Sequence, residues 1–278
     1  MPLALPFVAA ALIAQSVSVS LAAAPRVEQF HYRFDNPSTF DTATLVPHFF
    51  EQRYDVVPLW FSAEARYRLG EIEATTTAGM SLRRERHGSD IDTFNQPTGD
   101  VVTSGTDGRV LLRSWDIRQR LAVPVSGQWS VGMNVGLRHD AAEFLPDDRI
   151  VTHSLPASTT RTFITDREFT TSNVFSFGID AERVHAIDAH WRVRYGADVQ
   201  PIMRAELLVQ LPDKYPGVDL TFVALSAGAR AHLALEHERA RWRIGVAVRG
   251  AGAWAYRPSA AYTKRSVSIT VEAGIRLR

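Results

Sequence analysis

The 278-residue chain contains no cysteine. A disulfide framework, a thiolate metal site and a lipid anchor on an acylated cysteine are therefore excluded. This composition fits an exported protein whose stability does not rest on disulfides.

Lysine is almost absent as well. Only Lys214 and Lys264 are lysines among 31 basic residues, and the other basic residues are arginines. The formal net charge is +1, and no stripe of basic residues dominates the sequence. The sequence therefore gives no argument for a nucleic-acid partner.

The first 24 residues carry no charged side chain. An apolar stretch from Leu3 to Ala14 leads into small residues, and cleavage beside Ala22 or Ala23 is expected because Pro25 disfavours a cut directly before it. The alternative is a retained membrane anchor of about 20 residues, but Gln15 and the serines after it interrupt such an anchor. The prediction is a signal peptide over 1–24 and one domain over 25–278.

No second run of 18 apolar residues follows, which excludes a helical membrane protein. The dominant period is two. From Ser266 to Leu277 every second residue is apolar, and the residues between are Ser, Thr, Glu, Gly and Arg. Comparable alternation predicts ten strands, at about Val27 to Phe34, Tyr54 to Leu69, Ile72 to Arg83, Val110 to Val125, Trp129 to Arg138, Ser172 to Val184, Trp191 to Pro201, Leu220 to Glu236, Trp242 to Tyr256 and Ser266 to Leu277.

The connections alternate in length. Turns around Gly70, Gly127, Asp188 and Glu238 are short, whereas 36–52, 84–109, 139–171 and 202–219 are long and polar. We therefore expect an all-β fold, a closed antiparallel transmembrane β-barrel of about ten strands with short periplasmic turns and long extracellular loops. The expected location is the outer membrane of a Gram-negative-type bacterium. A soluble barrel or sandwich with an apolar interior is the alternative, because alternation alone does not say which face points outward.

Aromatic residues gather at strand ends. Trp129, Trp191 and Trp242 each follow a short turn, and Trp254 and Tyr256 share a face with Trp242. Twelve residues of tilted strand between Trp242 and Trp254 correspond to roughly 30 Å of height. The pattern predicts two aromatic girdles, and it predicts outer-membrane lipid and the barrel assembly machinery as partners.

The polar face of the predicted strands is rich in paired opposite charges. Charges buried in a narrow barrel need partners, and arginine pairs well with carboxylates because its planar fork binds both oxygens. We expect these side chains to fill the lumen as a salt-bridged plug, and a narrow anion-preferring pore is the alternative. The predicted network is Glu64, Arg66, Arg68, Asp116, Arg118, Arg120, Arg138, Asp180, Arg192, Arg194, Asp198, Arg230, Glu236, Arg243, Arg249 and Glu272.

The order of strands and loops resembles the omptin family of outer-membrane proteases. The resemblance implies a ten-stranded barrel with an active site at the extracellular rim, where an Asp-x-Asp pair works with an Asp and a His from the fourth external loop. Asp90 and Asp92 match the first pair, and Asp213 lies in the fourth loop, which has no histidine. His139 or His153 would have to supply the base.

The segment that contains Asp90, Asp92, Asn95 and Asp100 also carries oxygen ligands, but it lacks the spacing of a defined calcium loop. No cofactor or metal is predicted, and no extracellular ligand can be named from the residues. The expected function is a structural or surface-interaction role carried by the long loops. An anion pore and a rim hydrolase remain the alternatives.

Overall fold

In the computed structural model the described residues are 16–35, 46–82, 84–95, 98–163, 166–213, 216–217 and 219–277. Among them, no helix is long and apolar enough to cross a membrane. The strands are β1 (Ser16–Asp35), β2 (Val46–Val56), β3 (Leu59–Leu69), β4 (Ile72–Ser81), β5 (Arg84–Asn95), β6 (Val101–Ser126), β7 (Trp129–Ser154), β8 (Ala157–Phe163), β9 (Glu168–Ala186), β10 (Trp191–Gln210), β11 (Asp219–Arg239), β12 (Trp242–Ala255) and β13 (Ala260–Arg276).

Several of these strands are consecutive parts of one longer strand of the wall. Only Val57 and Pro58 separate β2 from β3, and both strands pair with β1. In the same way β4 and β5 pair with β6, and β8 and β9 pair with β7. The wall is therefore a ring of ten antiparallel strands that closes where β1 pairs with β13. The prediction of a closed antiparallel β-barrel of about ten strands is confirmed.

The two ends of the barrel differ. At one end, here called the turn end, the strands are joined by short turns, and Gly70 and Gly127 adopt positive φ there. Both ends of the described chain lie at the turn end, where the Leu277 N–H donates to the Val17 carbonyl at 2.8 Å. The opposite end, here called the loop end, carries the longer connections.

The strands extend further toward the loop end than the sequence pattern predicted. β6 begins at Val101 and β7 ends at Ser154, so most of 84–109 and 139–171 is paired strand rather than loop. The sequence analysis recognised strands by their alternating apolar residues. These apolar residues face outward only within the apolar belt of the barrel, whereas the backbone pairing continues beyond the belt, so the predicted strands were too short.

The first strand also begins earlier than predicted, at Ser16 rather than near Val27. Residues 16–25 pair with β3 on one side, and residues 18–23 pair with β13 on the other. Serines at 16, 18 and 20 alternate with apolar residues, which is the period of a strand. The wall thus includes 16–24, which the sequence analysis assigned to a signal peptide. The preceding 1–15 lie outside the described residues, and removal of a signal stays a prediction.

The two faces of the wall exchange their character along the height of the barrel. In the part of β1 near the turn end, Leu21 and Val27 face outward and are more than half exposed, whereas Glu28 faces inward and is fully buried. Toward the loop end the same inward face carries Phe30 and Phe34, both almost fully buried. The barrel is therefore apolar outside and polar inside over its first part, and apolar inside over its second.

Other strands repeat this exchange. On β6 the inward residues near the turn end are Arg120 and Arg118, and those nearer the loop end are Leu112 and Val110. On β10 a bulge between Gln200 and Met203 shifts the register. Past the bulge, the buried residues of β10 are all apolar, and they are Met203, Ala205, Leu207 and Val209.

The pairing of β1 predicts the mature N-terminus. If residues 16–24 were removed, the facing backbone groups of β3 and β13 would lose their partners inside the apolar belt, where water cannot replace them. We expect the protein isolated from outer membranes to retain Ser16. Intact-mass measurement checks this, and a chain that starts at residues 23–25 would contradict the pairing of β1.

Candidate functional site

The interior between the turn end and the middle of the wall is filled with ion pairs. Arginines on one strand reach carboxylates on neighbouring strands or across the lumen. Three of these contacts are Arg118 to Asp198 at 2.8 Å, Arg120 to Asp180 at 2.6 Å and Arg194 to Glu236 at 3.1 Å. Each of the three carboxylates is almost fully buried, so each arginine compensates a charge that has left water.

A second set of pairs joins β3 to the strands from β11 to β13. Arg66 Nε is 2.5 Å from Glu64 Oε1, and Arg243 bridges Glu64 at 3.8 Å and Glu236 at 3.7 Å. Arg249 donates to Glu272. These residues lock β3, β11, β12 and β13 together through their side chains.

Two residues of the predicted network lie on the rim at the turn end. The Arg68 Nε–H donates to the Gly70 carbonyl at 3.0 Å. Arg192 pairs with Glu238 at 3.0 Å, and its side chain is 39% exposed. Both arginines therefore brace the turns and do not fill the lumen.

The most completely buried charges lie at mid-height. Arg138 donates to both carboxylate oxygens of Glu28, at 3.0 and 3.1 Å, and to Asp140 at 2.6 Å. Glu28 has no exposed side-chain surface and also lies 3.0 Å from Lys264 Nζ. Ser114 donates to Asp140 at 2.5 Å. Of these residues, only Arg138 belonged to the predicted lumen network.

A cavity of about 280 Å³ lies inside the ring of ion pairs. Arg230 lines it, and so does Asp116, whose nearest ion-pair partner is Arg26 at 3.8 Å. Tyr262 and Met203 are also among its lining residues and belong to the apolar cluster toward the loop end. The charged layer and the apolar layer of the interior therefore meet at this cavity.

Above the cavity the interior is closed by aromatic rings. Phe222 stacks on Phe34 with ring centroids 4.5 Å apart and on Phe50 at 5.3 Å. Below them, Tyr32 contacts Tyr262 at 5.5 Å and Tyr54 at 6.4 Å. We call this set the aromatic plug.

A glycine makes room beside the aromatic plug. A Cβ atom on Gly88 would lie 3.0 Å from the Tyr54 ring and 3.3 Å from the Phe144 ring. The close approach of β5 to these rings therefore depends on the missing side chain at this position.

The rim residues expected from the omptin resemblance do not meet. Asp90 is buried on the inward face of β5, two residues from Gly88, and Asp92 follows on the same face. His139 is on the outer surface, where its ring stacks on Trp115 at 5.5 Å and its Nδ1 lies 2.9 Å from Asn173 Oδ1. The wall thus separates the two aspartates from this histidine.

Asp213 is also engaged elsewhere. The Arg167 backbone N–H donates to it at 3.0 Å and the Arg167 guanidinium at 3.2 Å. These two contacts lower the pKa of Asp213 below its ordinary value. A carboxylate with a lowered pKa is a poor general base.

Asp100, which directly precedes β6 at the loop end, binds the turn that joins β7 to β8. It accepts hydrogen bonds from the Ser154 and Leu155 backbone N–H groups, both at 2.8 Å, and from the Ser154 hydroxyl at 2.9 Å. His153 Nδ1 lies 2.8 Å from its other oxygen. Led by the His153 contact, these bonds lower the pKa of Asp100 to about 2. His153 therefore belongs to this turn.

Aromatic residues ring the outer surface at two heights. Trp129, Trp191 and Trp242 lie outward at the turn end, where Trp191 packs on His237 with ring centroids 4.8 Å apart. Trp254 and Tyr256 lie outward toward the loop end, and both are more than half exposed. Trp115, which the sequence analysis did not place in a girdle, lies outward on β6.

Comparison with known proteins supports the fold. No family model matches the chain, and no curated protein matches it. Among solved structures, the outer membrane protease OmpT from Escherichia coli superposes with a TM-score of 0.60 at 7% identity, covering 94% of this chain and 96% of that one. The translocator domain of the autotransporter NalP from Neisseria meningitidis covers 99% and 95% at 10% identity with a TM-score of 0.34. The chain therefore has the fold of an outer-membrane β-barrel, and the likeness to OmpT concerns the fold alone.

The central ion pairs predict a large loss of stability for Glu28→Gln. The change leaves Arg138 and Lys264 buried with less negative charge to compensate them. We expect the free energy of unfolding in lipid vesicles, measured with urea, to fall by about 3–5 kcal/mol. Glu206→Gln is the control, because its pair with Arg204 is exposed and should change stability by less than about 1 kcal/mol. Equal effects of the two changes would contradict the central role of Glu28.

The contacts of Asp100 predict that the turn between β7 and β8 is pH-dependent. Because the pKa of Asp100 is lower in the folded protein than in an unfolded chain, its stabilising effect is complete above about pH 4 and disappears as the pH falls through about 2. Asp100→Asn should lower amide-exchange protection at residues 154 and 155 at neutral pH, and wild type should approach the variant in acid. Asp107→Asn, at an exposed site, should change nothing. Unaltered protection in Asp100→Asn would refute this role.

Proposed function

We propose that this protein is an integral outer-membrane barrel that does not conduct and that serves a structural or surface-interaction role through its loop end. The aromatic plug is the observation that carries the proposal. A conducting barrel needs a continuous water path, and here stacked rings at 4.5 and 5.3 Å occupy the interior above the cavity. The interior of a ten-stranded barrel is narrow enough for side chains to fill it.

The composition of the plug supports this proposal. Its six rings project from β1, β2, β11 and β13, and buried apolar residues of β6, β7, β9, β10 and β12 belong to the same cluster, so most of the wall contributes to it. Apolar side chains from facing strands pack against one another as they do in a soluble core. Opening such a plug requires repacking of the wall.

The alternative of a rim hydrolase receives less support. Asp90 and Asp92 face inward, His139 faces outward, and Asp213 is bonded to Arg167. A water-activating site needs its base and its orienting carboxylate within hydrogen-bonding reach of one water molecule.

The loop end provides the surface for an interaction. Val101 lies 14 residues before the outward-facing Trp115, so β6 and β7 extend roughly 35 Å past Trp115 toward the loop end at the usual strand rise and tilt. At the loop end, β8 is exposed along its whole length, and Phe163 and Leu155 expose large apolar side chains. Exposed apolar residues of this kind occur at contact sites for other molecules.

The proposal predicts silence in planar lipid bilayers. We expect wild type to show no stable conductance steps, and the triple variant Phe34→Ala, Phe50→Ala, Phe222→Ala to conduct because it removes the stacked rings.

Two controls belong to this experiment. Phe175→Ala, at a lipid-facing position, should stay silent. Faster gel migration of the unboiled sample shows that each variant is a folded barrel. Steady conductance of the wild-type protein would contradict the proposal. If that conductance were selective for anions, it would favour the alternative of a narrow anion-preferring pore.

A further inference from the structure

Arg230 differs from the other arginines that line the cavity. Arg230 projects from β11 into the lumen. Among the residues that the structure describes, no carboxylate lies within 4 Å of its guanidinium group. Asp198 lies directly opposite it on β10 in the strand register, yet that carboxylate contacts Arg118 at 2.8 Å instead. Arg230 therefore faces the cavity without a direct counter-charge.

Further arginines surround the same space. The electrostatic neighbours of Arg230 include Arg118 and Arg26 as well as two carboxylates. Arg26 has only loose ion pairs, at 3.7 and 3.8 Å, and Arg118 Nε is buried without a hydrogen-bond partner among the described residues. Arg249 lines the cavity as well and pairs with a single carboxylate, Glu272. We call these four residues the arginine cluster.

Small side chains leave room beside the arginine cluster. Ala251 lies directly opposite Arg230 on β12, and Ser268 lies between Arg26 and Arg249 in the register. The cavity of about 280 Å³ could hold roughly nine waters, or a small ion together with a few of them. The hydroxyl group of Ser268 adds a donor at the edge of this space.

A guanidinium inside a barrel is costly unless an anion or several acceptors compensate it. Its planar fork of donors matches the oxygen atoms of phosphate or sulfate, and several arginines around one cavity are the usual way in which proteins hold such ions. We propose that the arginine cluster binds one small oxyanion of the phosphate or sulfate type inside the barrel. The site does not depend on whether the lumen conducts or on what the loop end contacts.

The neighbouring carboxylates limit the affinity but do not remove the site. Asp198 pairs with Arg118 through Oδ2, and Asp116 lies 3.8 Å from Arg26. Asp198 Oδ1 is buried without a hydrogen-bond partner among the described residues, so this carboxylate is the one that most weakens anion binding beside Arg230. The free donors of Arg230, the second edge of Arg249 and Arg118 Nε remain for the anion.

The test measures binding of radiolabelled inorganic phosphate by equilibrium dialysis. The protein is refolded into detergent with phosphate present, so that slow entry into a closed lumen cannot hide the site. We expect saturable binding of about one phosphate per barrel, with sulfate competing and chloride at equal ionic strength not competing. Arg230→Gln should weaken binding at least tenfold, whereas Arg68→Gln at the rim should leave it unchanged.

A second variant separates loss of the site from loss of folding. Ala251→Asp places a carboxylate opposite Arg230, where it should replace the bound oxyanion, and faster migration of the unboiled protein verifies a folded barrel. Loss of phosphate binding in this folded variant supports the proposal. Absence of saturable binding in wild type would overturn it, and so would unchanged binding in Arg230→Gln or Ala251→Asp, or an equal loss in Arg68→Gln.

Discussion

Every other feature of this protein depends on the closed ring of backbone hydrogen bonds, and the ring depends on β1. Inside a lipid bilayer an unpaired N–H or C=O group costs several kcal/mol, so a spanning sheet has to close on itself. β1 pairs with β13 on one side and with β2 and β3 on the other over nearly its full length. Where Pro58 interrupts the neighbouring strand, the Arg26 N–H donates to its carbonyl at 3.0 Å, so the wall remains paired.

Once the ring is closed, the surroundings of the wall determine what its interior contains. Where the outward residues are apolar, the inward ones are charged and pair with each other around Glu28, Arg138 and Asp198. Where the outward residues become polar, the inward ones are aromatic. One strand thus serves as a membrane strand near the turn end and as an ordinary soluble strand near the loop end. In the proposed non-conducting barrel, this change within the wall itself is what blocks the lumen.

The residues allowed part of this to be predicted. Alternation and the spacing of short turns predicted the ring of ten strands, because both signals are local. The early start of β1 was visible in Ser16, Ser18 and Ser20, but the uncharged small residues around them also suit an export signal. The aromatic plug had a signal too, since the apolar residues of β1 move from odd positions up to Val27 to even positions from Phe30 onward.

The details of the lumen could not be predicted in the same way. Glu28, Asp140 and Lys264 lie on strands whose inward face was assigned in part or not at all, and pairing across the lumen depends on the register of distant strands. His139 was considered as a base because the fourth loop has no histidine and 139–171 was predicted to be a loop, yet residue 139 belongs to β7 and its side chain lies outside the wall. Whether a side chain points into the lumen or outward depends on its position in the alternation of a paired strand. The predicted boundary between strand and loop did not give that position for His139.

The interior of the barrel changes from charged to apolar along β1, and spin labels measure this change directly. The cysteine-free chain allows single labels to be placed along the strand in lipid vesicles, for example in Val27→Cys, His31→Cys and Phe34→Cys. We expect a label at 27 to collide with oxygen in the lipid, a label at 31 with a water-soluble relaxation agent, and a label at 34 with neither. If the water-soluble agent reached a label at 34 freely, the lumen would be open to water at the loop end and the interior would not be closed there by apolar side chains.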